Sequence, residues 1–250
     1  MFMANANKKE TLLATDWEIF FLAIIFSFLF WAIYPGERII RNALEENKNL
    51  DLTEIYLKNI AKKYPSSFEI NFALAEIYLK QGKYQKAEEE LKPVNAINDK
   101  DLLAKKELFL ARIALFSLNK TADKETLKKL ELYYSSPSFT KLSEREKYLS
   151  EYILTLNNLG LYKEASRACL SIMKGAAPFE DKKLCLKLYL KSLRAGNLLK
   201  KELSSLDPFS KDFALDDEAA NEIMRAYLEA QEPEKAAAYA QKILRIRKIL

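Results

Sequence analysis

Between residues 71 and 91 the chain reads NFALAEIYLKQGKYQKAEEEL. Leu74, Ala75 and Tyr78 recur at helical spacing up to Gly82, and the same spacing restarts beyond it with Tyr84, Ala87 and Leu91. Two short antiparallel helices around a tight turn satisfy both halves. The small residues Ala75 and Ala87 allow close approach, and Tyr84 fills the space at the turn. The pattern returns. Gly160-Leu-Tyr162-Lys-Glu-Ala165 repeats the turn 78 residues after Gly82, and the stretch Tyr227 to Ala236 repeats it again, with Gln231 standing 71 residues beyond Gly160. A hairpin of this kind cannot bury its apolar face alone, so recurring copies predict a stack of hairpins sharing one continuous core.

In these residues, with Leu57, Ile60 and Pro65 in the half-repeat before them, the chain resembles the tetratricopeptide repeat family. The resemblance covers roughly residues 48–250 and is closest over the hairpins 68–100, 146–175 and 217–244. It implies an all-α solenoid of five to six helical hairpins. Weaker copies lie between, around Leu110, Ala111, Leu127 and Leu130, and again from Leu186 to Gly196 with Leu198 and Leu203. The family's tryptophan position holds Asn71, Leu149 and Ala220, and Gln231 replaces the turn glycine of the last copy. Ser135–Leu142 and Ser204–Asp217 read as longer connections.

Composition agrees with helices and excludes much chemistry. Five glycines and seven prolines interrupt 250 residues of which 49% are apolar and 30% charged. There is no histidine, which removes His-based nucleophile pairs and His metal sites. The glycines at 36, 82, 160, 175 and 196 are too scattered for a phosphate-cradling loop. Cys169 and Cys185, sixteen residues apart in helical pattern, read as packing residues, although neighbouring helices could bring them together. The net charge of +5 is spread over alternating signs, without the basic stripe of a nucleic-acid binder. Carboxylate pairs such as Glu88/Glu89 and Asp216/Asp217 lack a histidine or metal partner. The expectation is a non-enzymatic chain with no cofactor, no metal, no small-molecule substrate and no nucleic acid.

The N-terminus differs in kind. Residues 19–34 run IFFLAIIFSFLFWAIY without a charge, closed by Trp31 and Tyr34 and preceded by Trp17. At about 1.5 Å per residue they reach roughly 24 Å, and the flanking aromatics suit a membrane interface. The expected layout is a polar tail over 1–16, a transmembrane anchor over 17–34, a juxtamembrane linker helix over 35–47 and the solenoid over 48–250. No small-x-small cleavage site follows the run, so the anchor stays attached. Arg38 and Arg41 lie nearer to it than Lys8 and Lys9, and the balance leans towards a cytoplasmic solenoid.

The resemblance implies an inner, concave face built by the first helix of each hairpin, which in this family holds peptides or helices of partner proteins. By its register the groove comprises Glu69, Phe72, Glu76, Leu79 and Lys80, then Lys147, Ser150, Leu154, Asn157 and Asn158, then Asn221 and Arg225. Phe72, Glu76, Ser150 and Leu154 stand where a lysine–asparagine clamp for a terminal carboxylate would lie, so that recognition mode is absent. At the other end Ile243, Ile246, Ile249 and Leu250 follow the last turn with no polar cap, a docking surface for a partner, a second copy or a membrane. The functional expectation is a scaffold or adaptor for assembly of a bacterial inner-membrane complex serving secretion, polysaccharide export or envelope assembly. The alternative is a chaperone-like or receptor role in binding client peptides at the membrane.

Overall fold

The computed structural model describes residues 16–33, 49–65, 67–96, 99–119 and 123–249. All regular structure among them is helical. Numbered in chain order, the α-helices are α1 Asp16–Ile33, α2 Leu50–Lys63, α3 Phe68–Lys80, α4 Tyr84–Leu91, α5 Lys100–Phe116, α6 Lys124–Tyr134 and α7 Pro137–Thr140. There follow α8 Arg145–Asn158, α9 Tyr162–Lys174, α10 Phe179–Ala195, α11 Leu199–Glu202, α12 Asp217–Glu229 and α13 Pro233–Ile249. Short 3₁₀ turns follow α4 and α11.

The hairpins are set by local chemistry at both helix ends. Asn49, Asp99, Asp123, Ser136 and Asp216 each accept a backbone N–H from the first turn of the helix they precede. At the C-terminal ends of α3, α8, α10 and α12 the chain turns through a left-handed residue: Gly82, Gly160, Asn197 and Gln231, at φ +71°, +78°, +55° and +62°. In each case the next N–H reaches five residues back, Lys83 to Tyr78, Leu161 to Leu156, Leu198 to Leu193 and Glu232 to Tyr227, at 2.8–2.9 Å. These bonds close the last turn and reverse the chain. Asn197 takes the left-handed position rather than Gly196. Gly196 is needed for another reason: a Cβ there would meet the Tyr162 Cβ at 2.7 Å, so its missing side chain lets the end of α10 approach the start of α9.

Five hairpins result among the described residues, α3/α4, α5/α6, α8/α9, α10/α11 and α12/α13, with α2 packed ahead of them. The first helices touch in series, α3 to α5, α5 to α8, α8 to α10 and α10 to α12. Two cores lie between the layers. One gathers Leu57, Ile70, Leu74, Ile77, Tyr78, Ala87 and Leu91 with Phe109 and Ile113; the other runs from Leu108 and Leu115 through Leu149, Ile153, Tyr189 and Ile223 to Ile243. α5 belongs to both, with Phe109 and Ile113 on one side and Leu108, Ala111 and Leu115 on the other. Cys169 and Cys185 are free and fully buried on α9 and α10; burial, with each other's thiol beside it, raises Cys169 well above the usual thiol range.

The two stretches expected as long connections are packed. Within 135–142, α7 drives Phe139 into the core, its ring 4.9 Å from that of Tyr134, which stacks at 4.2 Å on Tyr152. Within 204–217, Leu206, Phe209, Phe213 and Ala214 are buried. Tyr227 donates to Asp207 at 2.5 Å, Tyr239 to the Ser210 carbonyl at 3.0 Å, and Arg247 to the Ala214 carbonyl at 3.2 Å, tying the stretch to α12 and α13. Buried aromatics, rather than helical periodicity, order these segments.

The expectation of a membrane span over 17–34 is not met: among the described residues no helix is long and apolar enough to cross a membrane. α1 has 18 residues, about 27 Å at the helical rise, against a hydrocarbon core of about 30 Å, and Asp16 and Glu18 occupy its first turn. The side chains of Trp17, Phe20, Phe21, Leu22, Ile24, Ile25, Phe26 and Phe28 are 48–68% exposed. The tail to residue 15, the 35–47 linker, Tyr34 and the side chain of Trp31 lie outside the described residues.

Candidate partner-binding cleft

The inner ends of α3, α5 and α8 enclose a cleft of about 1160 Å³. Residues one helical turn apart line each wall: Glu69, Phe72, Glu76, Leu79 and Lys80 from α3, Lys105, Phe109, Arg112 and Phe116 from α5, and Lys147, Tyr148 and Glu151 from α8, with Glu144 just before it. Phe72 and Phe109 meet at 5.3 Å between ring centres, and the Lys105 ammonium sits 4.6 Å from the centre of the Phe72 ring.

Arg112 organises the cleft. Its Nε and Nη2 donate to Glu151 at 2.7 and 3.1 Å, while Nη1 and Nη2 donate to the two oxygens of Glu76. The rings of Tyr148, Phe109 and Phe116 lie 5.2, 5.5 and 5.9 Å from its guanidinium carbon. Burial works against the charge, but the bonds to Glu151 and Glu76 outweigh it and hold the group above its usual pKa. The planar fork suits this place, since it serves two carboxylates in one plane and stacks on rings, which an ammonium cannot do. One side chain thereby links three successive hairpins.

Of the groove residues expected from sequence, Glu69, Phe72, Glu76, Leu79, Lys80 and Lys147 line this cleft together. The others lie elsewhere. α8 presents Lys147, Tyr148 and Glu151, one position round the helix from Ser150 and Leu154; Leu154 packs on the core and Ser150 is half-buried. The one-turn α7 stands between α6 and α8 at this step. Asn157 donates to Ser192 at 3.0 Å, leaving its side-chain oxygen buried without a partner, and Asn158 is exposed. Asn221 and Arg225 are exposed on α12, with Arg225 3.3 Å from Glu222. The C-terminal docking surface is corrected: Ile243 is buried and Ile246 partly buried against the same core, because α13 lays that face on α12 and the 203–216 stretch. Leu244 is the large apolar residue exposed there; the side chain of Ile249, and Leu250, lie outside the described residues.

Sequence reasoning missed Phe109, Arg112, Phe116, Tyr148 and Glu151. A signal existed: Glu76, Arg112 and Glu151 are spaced by 36 and 39 residues, about one repeat, with alternating sign. The same spacing marks Arg145–Asp181, Lys183–Asp216, Lys187–Glu218 and Arg194–Glu229, at 31–36 residues. In a stacked repeat, opposite charges one period apart face each other on neighbouring helices.

In comparison with known proteins, residues 44–107 fit the family model described as "Tetratricopeptide repeat". That segment holds α2, α3, α4 and the first half of α5. That segment carries a tetratricopeptide repeat. The family is a protein-interaction fold and generally not catalytic. No curated protein and no solved structure matches the chain. Among the described residues no group of three or more Cys, Asp or Glu is placed to hold a metal ion.

Proposed function

We propose that this chain is a scaffold or adaptor that holds a peptide or helix of a partner protein in the α3–α5–α8 cleft. The observation that carries the reading is the cleft itself. It is larger than the roughly 300–1,000 Å³ typical of small-ligand pockets, open, floored by Phe72 and Phe109 and braced by Arg112, as an apolar anchor with polar rim contacts requires. The partner is a subunit of a membrane complex, and by analogy with bacterial single-pass repeat proteins the site of action is the inner membrane, in secretion, polysaccharide export or envelope assembly. The exposed apolar side chains of α1 support attachment to lipid.

Crosslinking with affinity purification from native membranes tests the reading, using wild type and a Lys105→Glu/Lys147→Glu variant that changes only exposed residues of the lip. A stoichiometric set of subunits that is lost in the variant supports it. A broad, substoichiometric mixture of clients would replace the scaffold with the chaperone-like or receptor role. Release of the protein by alkaline carbonate would remove membrane attachment from the proposal.

A further inference from the structure

The deepest layer of the cleft offers carboxylate oxygen rather than cation. Within the triad Glu76 and Glu151 carry two negative charges against one on Arg112, and their side chains remain 19% and 21% exposed while that of Arg112 is 7% exposed. Arg112 uses two acceptor positions on each carboxylate, where an ionised carboxylate has about four. An entering ligand therefore meets oxygens with acceptor capacity left, set among the faces of Phe109, Phe116 and Tyr148. Arg112 itself demonstrates what this layer accepts: a guanidinium between carboxylates, with rings at 5.2–5.9 Å. The cations Lys80, Lys105 and Lys147 stand exposed at the lip, where solvent screens them, and Lys147 is held by Glu144 at 3.0 Å.

We propose that the cleft selects a partner segment that places an arginine side chain against Glu76 and Glu151, with apolar neighbours seated on the partly exposed rings of Phe116 and Tyr148. The proposal rests on the reading of this cleft as the partner site. A partner's terminal carboxylate or acidic side chain would meet like charge at the same point. A lysine gains the Coulomb attraction but neither the forked bond nor the stacking, so it ranks between.

The test uses the full chain and a short, end-capped, fluorescein-labelled amphipathic peptide whose central guest residue is Arg, Lys, Leu or Glu, read by anisotropy. The Arg guest is expected to bind about tenfold or more tightly than the Glu guest, with Lys between. Glu151→Gln is expected to narrow the Arg-to-Glu ratio, lowering the Arg guest's affinity more than the Leu guest's. Should Glu151→Gln fail to fold by circular dichroism, raised salt on the wild type decides the matter: it weakens the Arg guest and spares the Leu guest if the proposal is right. A Glu guest binding as well as Arg, or a salt-indifferent Arg guest, overturns the arginine preference and leaves the cleft as a partner site. Failure of every guest to bind overturns both.

Discussion

The inner surface of the solenoid divides at α8. On the N-terminal side, α3, α5 and α8 carry rings and one long guanidinium at their facing positions, and a cleft stays open between them. On the C-terminal side the equivalent helices meet through direct pairs: Lys183 to Asp216 at 2.8 Å, Lys187 to Glu218 at 2.6 Å, Arg194 to Glu229 at 2.7 Å and Asn157 to Ser192 at 3.0 Å. The fold and the repeat spacing are the same. The difference is burial: Arg112 is 6% exposed and desolvated among rings, whereas the Arg194 side chain is 35% exposed and shares its carboxylates with water. One half keeps volume for a ligand around a buried triad; the other closes its seam with pairs that run from Arg145 on the buried Asp181 to the half-exposed Arg194 on Glu229.

The sharpest way to break that comparison is to remove each half's arginine. Arg112→Ala leaves two carboxylates facing each other at the joint of both cores and is expected to cost about 3 kcal/mol, the low end for a broken buried pair because Glu76 and Glu151 keep some water. Arg194→Ala is expected to cost less than about 1 kcal/mol, with a difference that shrinks further in salt. Urea melts of the two variants at low and high salt measure both; equal losses would mean that the halves are braced alike.

A smaller contrast concerns two glycines. Gly196→Ala forces a Cβ against Tyr162 backbone-proximal carbon, and overpacking of this kind is expected to cost about 1–3 kcal/mol. Gly82→Ala meets open space and pays only for a left-handed backbone, about 1 kcal/mol. Thermal melts rank them, and a Gly82 variant that is the weaker of the two would refute the close-approach account.

The smallest effect is a pH dependence centred in the N-terminal half. Hydrogen bonding from Lys58 above all, with Lys83 and Gln81, lowers Glu54 from its ordinary 4.5 to about 2. A carboxylate depressed by folding contributes stability that is full above the unfolded value and is lost as pH falls towards the folded one. Stability is therefore expected to decline between about pH 4.5 and 2, and Glu54→Gln to flatten part of that decline. Acid titration of both proteins by circular dichroism checks it, and an unchanged slope in the variant would remove Glu54 from the account.

Much of the fold was legible because its signals are local. Leu74, Tyr78, Gly82, Tyr84, Ala87 and Leu91 announce a hairpin through helical spacing and a left-handed turn, both properties of a few consecutive residues. Gln231 was readable as the turn residue only because Ala236 and Tyr227 flank it at the expected offsets. The site was legible on α3 and, on α8, only at Lys147. Phe72, Glu76, Leu79 and Lys80 follow from a well-formed repeat, while α8 turns a neighbouring face inward behind α7, whose four residues carry no period of their own. Ile243 shows the same limit at the C-terminus, where an apolar helix end reads as exposed until a packed loop covers it.

The sequence by itself determined an all-helical repeat chain without histidine chemistry, because composition and helical period are written residue by residue. Tertiary structure alone decided that Arg112 stands between Glu76 and Glu151 and that Phe139, Phe209 and Phe213 bury what read as loops. Those facts depend on which helix faces meet across 30 to 40 residues of chain, roughly one repeat, and the angle between two packed helices is fixed by side chains that no local pattern brings together.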